Sequence, residues 1–65
     1  MEGALRKLMN NVHIQIQDVS GNWLTVSSTE NQAQIISIRL TEAARNYRRR
    51  SRAIDARTGI VLDIR

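Results

Sequence analysis

Between Thr29 and Arg50 the chain carries its one long run of helical periodicity, and that run limits the fold more than any other feature. Placed at about 100° per residue, Ala33, Ile36, Leu40, Ala43, Ala44 and Tyr47 fall on a single stripe. A helix with one apolar stripe needs a second layer to cover it. The run opens on Thr29-Glu30-Asn31-Gln32, a pattern in which Thr29 accepts from the Gln32 amide while the Gln32 side chain reaches back. It closes on Arg48-Arg49-Arg50, whose cations offset the unpaired carbonyls of a helix end. Ile35 and Ile38 project from nearly the opposite side, beside Glu42, Arg45 and Arg49.

The flanking segments supply the second layer. Val12-His13-Ile14-Gln15-Ile16-Gln17 alternates apolar and polar residues, as a strand with one buried face does. Ser20-Gly21-Asn22 is turn chemistry, and Trp23 to Ser28 is a second β-rich run. A three-residue loop pairs Val19 with Trp23, Gln17 with Thr25 and Ile16 with Val26, keeping Ile14, Ile16, Leu24 and Val26 on one face. A two-residue Gly21-Asn22 loop would set Gln17 opposite Val26 and break that face. After the helix, Arg52 to Ala56 and Ile60 to Ile64 flank Arg57-Thr58-Gly59, with Gly59 suited to a left-handed turn position. This loop pairs Ala56 with Ile60, Ile54 with Leu62 and Arg52 with Ile64, so Ile54, Ile60, Leu62 and Ile64 share a face.

The sequence therefore predicts an α+β fold, ββαββ, in which a four-stranded antiparallel sheet of order 2-1-3-4 carries one helix on one face. Residues 12–65 form the domain, and residues 1–11, with Leu5, Leu8 and Met9 at helical spacing, form a short helix or stay disordered. The expected core is Ile14, Ile16, Leu24, Val26, Ile36, Leu40, Ile54, Leu62 and Ile64. The expected bare face of the sheet carries His13, Gln15, Gln17, Val19, Trp23, Thr25, Ala53, Asp55, Val61 and Asp63.

At 65 residues such a domain buries only about 60% of its chain surface, and it has no cysteine for a disulfide or a thiolate zinc site. Self-association is a common remedy at this size. No apolar run reaches the ~18 residues of a membrane span, and the first eleven residues are too polar for a signal peptide, so the expected location is cytoplasmic.

Chemistry-bearing patterns are few. His13 alternates outward as a strand residue without a positioned partner, and Asp55 and Asp63 are expected as diagonal neighbours on the open face. There is no glycine-rich phosphate loop, nucleophile elbow or metal-ligand spacing, so no enzyme activity, cofactor, metal or small-molecule substrate is expected. Two kinds of partner fit instead. Trp23, Val61, Ile35 and Ile38 are apolar positions left outside the core, and they point to a self-associating module or one that docks a partner protein. The second and fourth strands, at the edges of the sheet, add backbone that can pair with another chain. The alternative is sequence-independent nucleic-acid binding. The net charge is +4, and Arg45, Arg48, Arg49, Arg50 and Arg52 crowd one end of the helix. Tyr47, flanked by those arginines, is expected to pack in the core with its hydroxyl in water.

Overall fold

The structure, a computed structural model, describes residues 11–65. The expected N-terminal segment lies outside the described residues except for Asn11. Strand β1 is Val12–Gln17, β2 is Trp23–Thr29, helix α1 is Ala33–Tyr47, β3 is Ser51–Asp55 and β4 is Val61–Ile64. The sheet is antiparallel throughout with order β2-β1-β3-β4, and α1 lies across one face. The expected fold class and strand order are therefore observed. Among the described residues, no helix is long and apolar enough to cross a membrane.

The helix is shorter than its periodicity suggests. Thr29 is the buried last residue of β2, and the helix starts only at Ala33, with Gln32 extended at the cap and no side-chain cap bond. The expected capping box does not form; the Gln32 side chain donates to Glu30 Oε2 instead (3.2 Å). At the other end Arg48 adopts a left-handed conformation, φ 53°, which stops the helix at Tyr47. Arg48, Arg49 and Arg50 thus belong to the connection into β3 rather than to successive turns of helix.

The first hairpin closes one residue earlier than expected. Asp18 N–H donates to Asn22 C=O (2.8 Å), leaving Val19-Ser20-Gly21 as the loop, and Asp18 Oδ1 accepts from the amides of Ser20 and Asn22 (2.8 and 2.9 Å). An aspartate at that position holds two turn amides, which Val19 cannot do. The ladder is consequently Gln17 with Trp23, Ile16 with Leu24 and Gln15 with Thr25. This differs from the expected register by two residues, an even shift that keeps Trp23, Leu24 and Thr25 on their expected faces. A bulge then absorbs Val26 and sets Ile14 opposite Ser27.

The second hairpin keeps the expected pairing of Arg52 with Ile64, but its loop is longer. Asp55 N–H donates to Ile60 C=O and Gly59 N–H to Asp55 C=O (2.9 and 2.8 Å), while Asp55 Oδ1 accepts from the Arg57 and Thr58 amides (2.7 and 3.2 Å). A bulge at Leu62 brings Val61 opposite Ile54.

The larger correction concerns which side of this hairpin meets the helix. The ladder to β1 sets Ala53 opposite Ile14 and Ile54 opposite His13. Ser51 and Ala53 therefore lie under the helix, fully buried, and Ile54 turns to the open face with Arg52. Two physical reasons favour this choice. Arg52 alternates with Ser51 and Ala53, so the opposite assignment would bury an arginine beneath the helix. Small residues also let the helix backbone come close: Ser51 Oγ donates to Leu40 C=O at 3.0 Å in a fully buried contact.

The resulting core is Val12, Ile14, Ile16, Ile36, Leu40, Ala43 and Ala53, with Val26 packed at its margin. Leu24, Leu62 and Ile64 are exposed and Ile54 is half-buried, so those four do not join it as expected. Tyr47 also lies outside, exposed beside a small cleft that it lines with Val26, Ser27, Ala43 and Asn46.

Candidate interaction surface

With the helix on one side, the opposite face of the sheet has no second layer among the described residues, and alternation sorts its side chains into two regions. The first spans β2, β1 and the start of β3. The Gln15 side chain lies across its centre, Nε2 donating to Thr25 Oγ1 (3.1 Å) and Oε1 accepting from Arg52 Nε (2.8 Å). These three residues are direct cross-strand partners, and the row continues to Ile64 on β4. The Arg52 guanidinium then folds over the Trp23 ring, its carbon 4.3 Å from the ring centroid. Gln15 is almost completely buried among the neighbouring side chains although it sits on the open face.

One residue further along, Gln17 N–H donates to Arg50 C=O (3.0 Å). This extends the β1–β3 ladder past its last paired residues, so alternation puts Arg50 on the same face as Arg52 and two residues from it.

The second region lies on β3 and β4. Ile54, Val61 and Ile64 share the open face, with His13 beside Ile54; Val61 is 48% exposed and Ile64 42%. Ile60 is exposed at the adjoining end of the turn. Sequence reasoning assigned Ile54 and Ile64 to the core and so missed this strip. The signal was present in Arg52, whose charge determines the parity of the whole strand.

The other expected site residues are scattered. Ile38 is exposed on the helix at 59%, and Ile35, one turn before it, is half-buried. Arg45, Arg48, Arg49 and Arg50 are exposed and make no side-chain hydrogen bond or ion pair among the described residues. Arg52 stands apart from them: it is half-buried and held by Gln15 and Trp23. Asp55 and Asp63 follow Ala53 to the helix side and do not form the expected pair on the open face. Asp55 serves the turn, and Asp63 accepts from the Ile64 amide and from Arg65 Nη1, both at 2.8 Å. Those two bonds, the backbone one first, hold the Asp63 carboxyl below the ordinary carboxylate range.

The β4 edge is also changed by this pair. Asp63 takes the Ile64 N–H, and Arg65 Nη1 donates to the Ile64 C=O (3.1 Å) while Arg65 Nη2 bonds Ser37 Oγ on the helix (2.9 Å). Local side chains thereby satisfy the Ile64 backbone groups, which blunts the strand against edge pairing. Among the described residues no group of three or more acidic or histidine side chains could hold a metal ion.

No protein-family model, curated protein or solved structure matches the chain.

Proposed function

We propose that this protein is a non-enzymatic interaction module that associates with a second copy of itself through the open face of its sheet. The observation that carries the reading is the orientation of the second hairpin. Its small residues, Ser51 and Ala53, face the helix, and its large aliphatics, Ile54, Val61 and Ile64, face outward. A core of seven buried apolar residues is small, and burying this strip against another chain adds apolar area of the kind that folding alone leaves in water.

Three features favour a second copy on the face over other arrangements. The strip itself carries no charge, and a two-fold axis through it lets the same aliphatics meet themselves. The β4 edge is blunted at Ile64, so edge pairing is the weaker route. On the helix Ile38 is the only exposed large aliphatic, beside the half-buried Ile35, a smaller apolar surface than the three aliphatics of the strip. The carboxylates of Asp55 and Asp63 are taken by backbone amides, which supports binding over catalysis. The proposal takes the cytoplasm as compartment, consistent with the cysteine-free sequence.

Light scattering across a micromolar concentration range tests the reading. The chain is expected to approach twice its 7.4 kDa mass, Val61→Lys to remain at the single-chain mass, and Ile38→Lys to behave as the unmodified chain does. A single-chain mass at every concentration, or dissociation by Ile38→Lys and not Val61→Lys, refutes it.

A further inference from the structure

The β2–β1 end of the open face has a chemistry that the aliphatic strip lacks, and the self-association reading does not use it. We infer that this end is a binding site for single-stranded nucleic acid, with Trp23 as the stacking surface and Arg50 and Arg52 as phosphate contacts.

Three observations meet there. The first is electrostatic. All five acidic side chains of residues 11–65 are already engaged: Asp18 and Asp55 in turns, Glu30 with Gln32, Glu42 with Arg39, and Asp63 with Ile64 and Arg65. Arg45, Arg48, Arg49 and Arg50 have no such counter-charge among the described residues, and no acid lies on the open face. Their field therefore attracts an anion instead of closing on a neighbour.

The second is the state of Arg52. Gln15 accepts from its Nε, which fixes the guanidinium plane, and neither terminal nitrogen has a partner among the described residues. A fork held by its stem with both tips unpaired suits phosphate oxygens. Arg50 immediately precedes β3, and its backbone lies two residues, roughly 7 Å, from that of Arg52. That step is on the scale of adjacent phosphates in an extended strand.

The third is Trp23, the only tryptophan, which lies on this face opposite Gln17. Its strand lies two strands from β3, and the Arg52 side chain reaches across β1 to bring its guanidinium carbon within 4.3 Å of the ring centroid. Arg52 already occupies one side of the ring, and a base on the other completes a cation–aromatic–base stack. An open sheet face carrying one indole and arginines presents no helix or protruding ribbon to a groove, so it favours splayed bases over a duplex. Arg48, left-handed at φ 53°, and Arg49 then extend the phosphate track beyond the sheet.

Because Trp23 is unique, its own fluorescence reports the contact. The full chain is titrated at low salt with a twelve-base oligothymidylate, with a duplex of equal length, and with inorganic polyphosphate, which has charge but no bases. The expected result is quenching by the single strand, weaker binding to the duplex and little quenching by polyphosphate. Variants are followed by anisotropy of a labelled oligothymidylate, with far-UV circular dichroism confirming the fold. Trp23→Leu keeps apolar bulk in the hairpin and is expected to weaken binding about ten- to a hundredfold, the range for one lost base–aromatic stack. Replacing Arg48, Arg49 and Arg50 by glutamine is expected to flatten the slope of log affinity against log salt by about 2. No binding of the single strand overturns the inference. So do equal or tighter binding of the duplex, an undiminished affinity in folded Trp23→Leu, and polyphosphate quenching equal to that of the oligonucleotide.

Discussion

Adding two methyl groups at Ala53 tests the orientation of the second hairpin at the point where it departs from the simplest reading of the sequence. Ala53 is 0% exposed, opposite Ile14 on β1 and Asp63 on β4, and α1 lies above it. Valine is the better strand former by up to ~1 kcal/mol, so propensity alone favours Ala53→Val. Packing opposes it: extra methyls in a filled core cost about 1–3 kcal/mol, because the helix must lift or a rotamer must strain. A domain of this length has on the order of 3–10 kcal/mol of stability in total, so the loss is a large share. Each kcal/mol moves the midpoint of a small domain by about 4–8 °C, which makes a drop near 10 °C the expected result in a thermal melt. Ile54→Ala is the companion measurement. Ile54 is half-buried on the open face, and losing about half the transfer energy of its three extra carbons costs only ~1 kcal/mol in the single chain. The two melts are run at concentrations low enough to keep the chain monomeric. A neutral Ala53→Val together with an Ile54→Ala that loses 2–5 kcal/mol would show that Ile54, and not Ala53, lies under the helix.

Leu40→Ala removes a fully buried side chain from the centre of the helix face and is expected to cost about 2–5 kcal/mol, read by urea denaturation. Arg48→Gly relieves a left-handed residue and is expected to stabilise by up to ~1 kcal/mol; a lower melting temperature would contradict the assigned helix stop. The lowered Asp63 carboxyl is stabilising above its unfolded-state titration and loses that contribution as pH falls through the folded value. Asp63→Asn keeps an acceptor for the Ile64 amide, so the unmodified chain is expected to lose more stability than this variant as pH drops from about 5 toward 2. Superimposable pH profiles would refute that charge linkage.

The strand order, the helix and the face of the first hairpin were legible because period and turn chemistry agree there. Val12, Ile14 and Ile16 alternate without interruption, and a difference of two residues in the ladder register leaves their face unchanged. The second hairpin was misread because size was taken as the guide to burial. Ile54, Leu62 and Ile64 are the larger residues, but Arg52 shares a face with Ile54, and Ser51 and Ala53 fit the closely packed helix. A charge that must stay in water constrained the strand more than its aliphatics did. The helix start was overread for a related reason: Thr29-x-x-Gln32 has the letters of a capping box, but Thr29 is drawn into the ladder opposite Val12. The Trp23–Arg52–Gln15–Thr25 chain could not be read from spacing, since it joins residues that only the register of three strands brings together.

Intermolecular NOEs in a sample mixing isotope-labelled and unlabelled chains test most directly whether the outward aliphatics of the second hairpin meet a second copy. The expected result is a set of contacts from the methyls of Ile54, Val61 and Ile64 to the same residues of the partner. A spectrum with no intermolecular contacts, or with contacts from Ile38 alone, would contradict it.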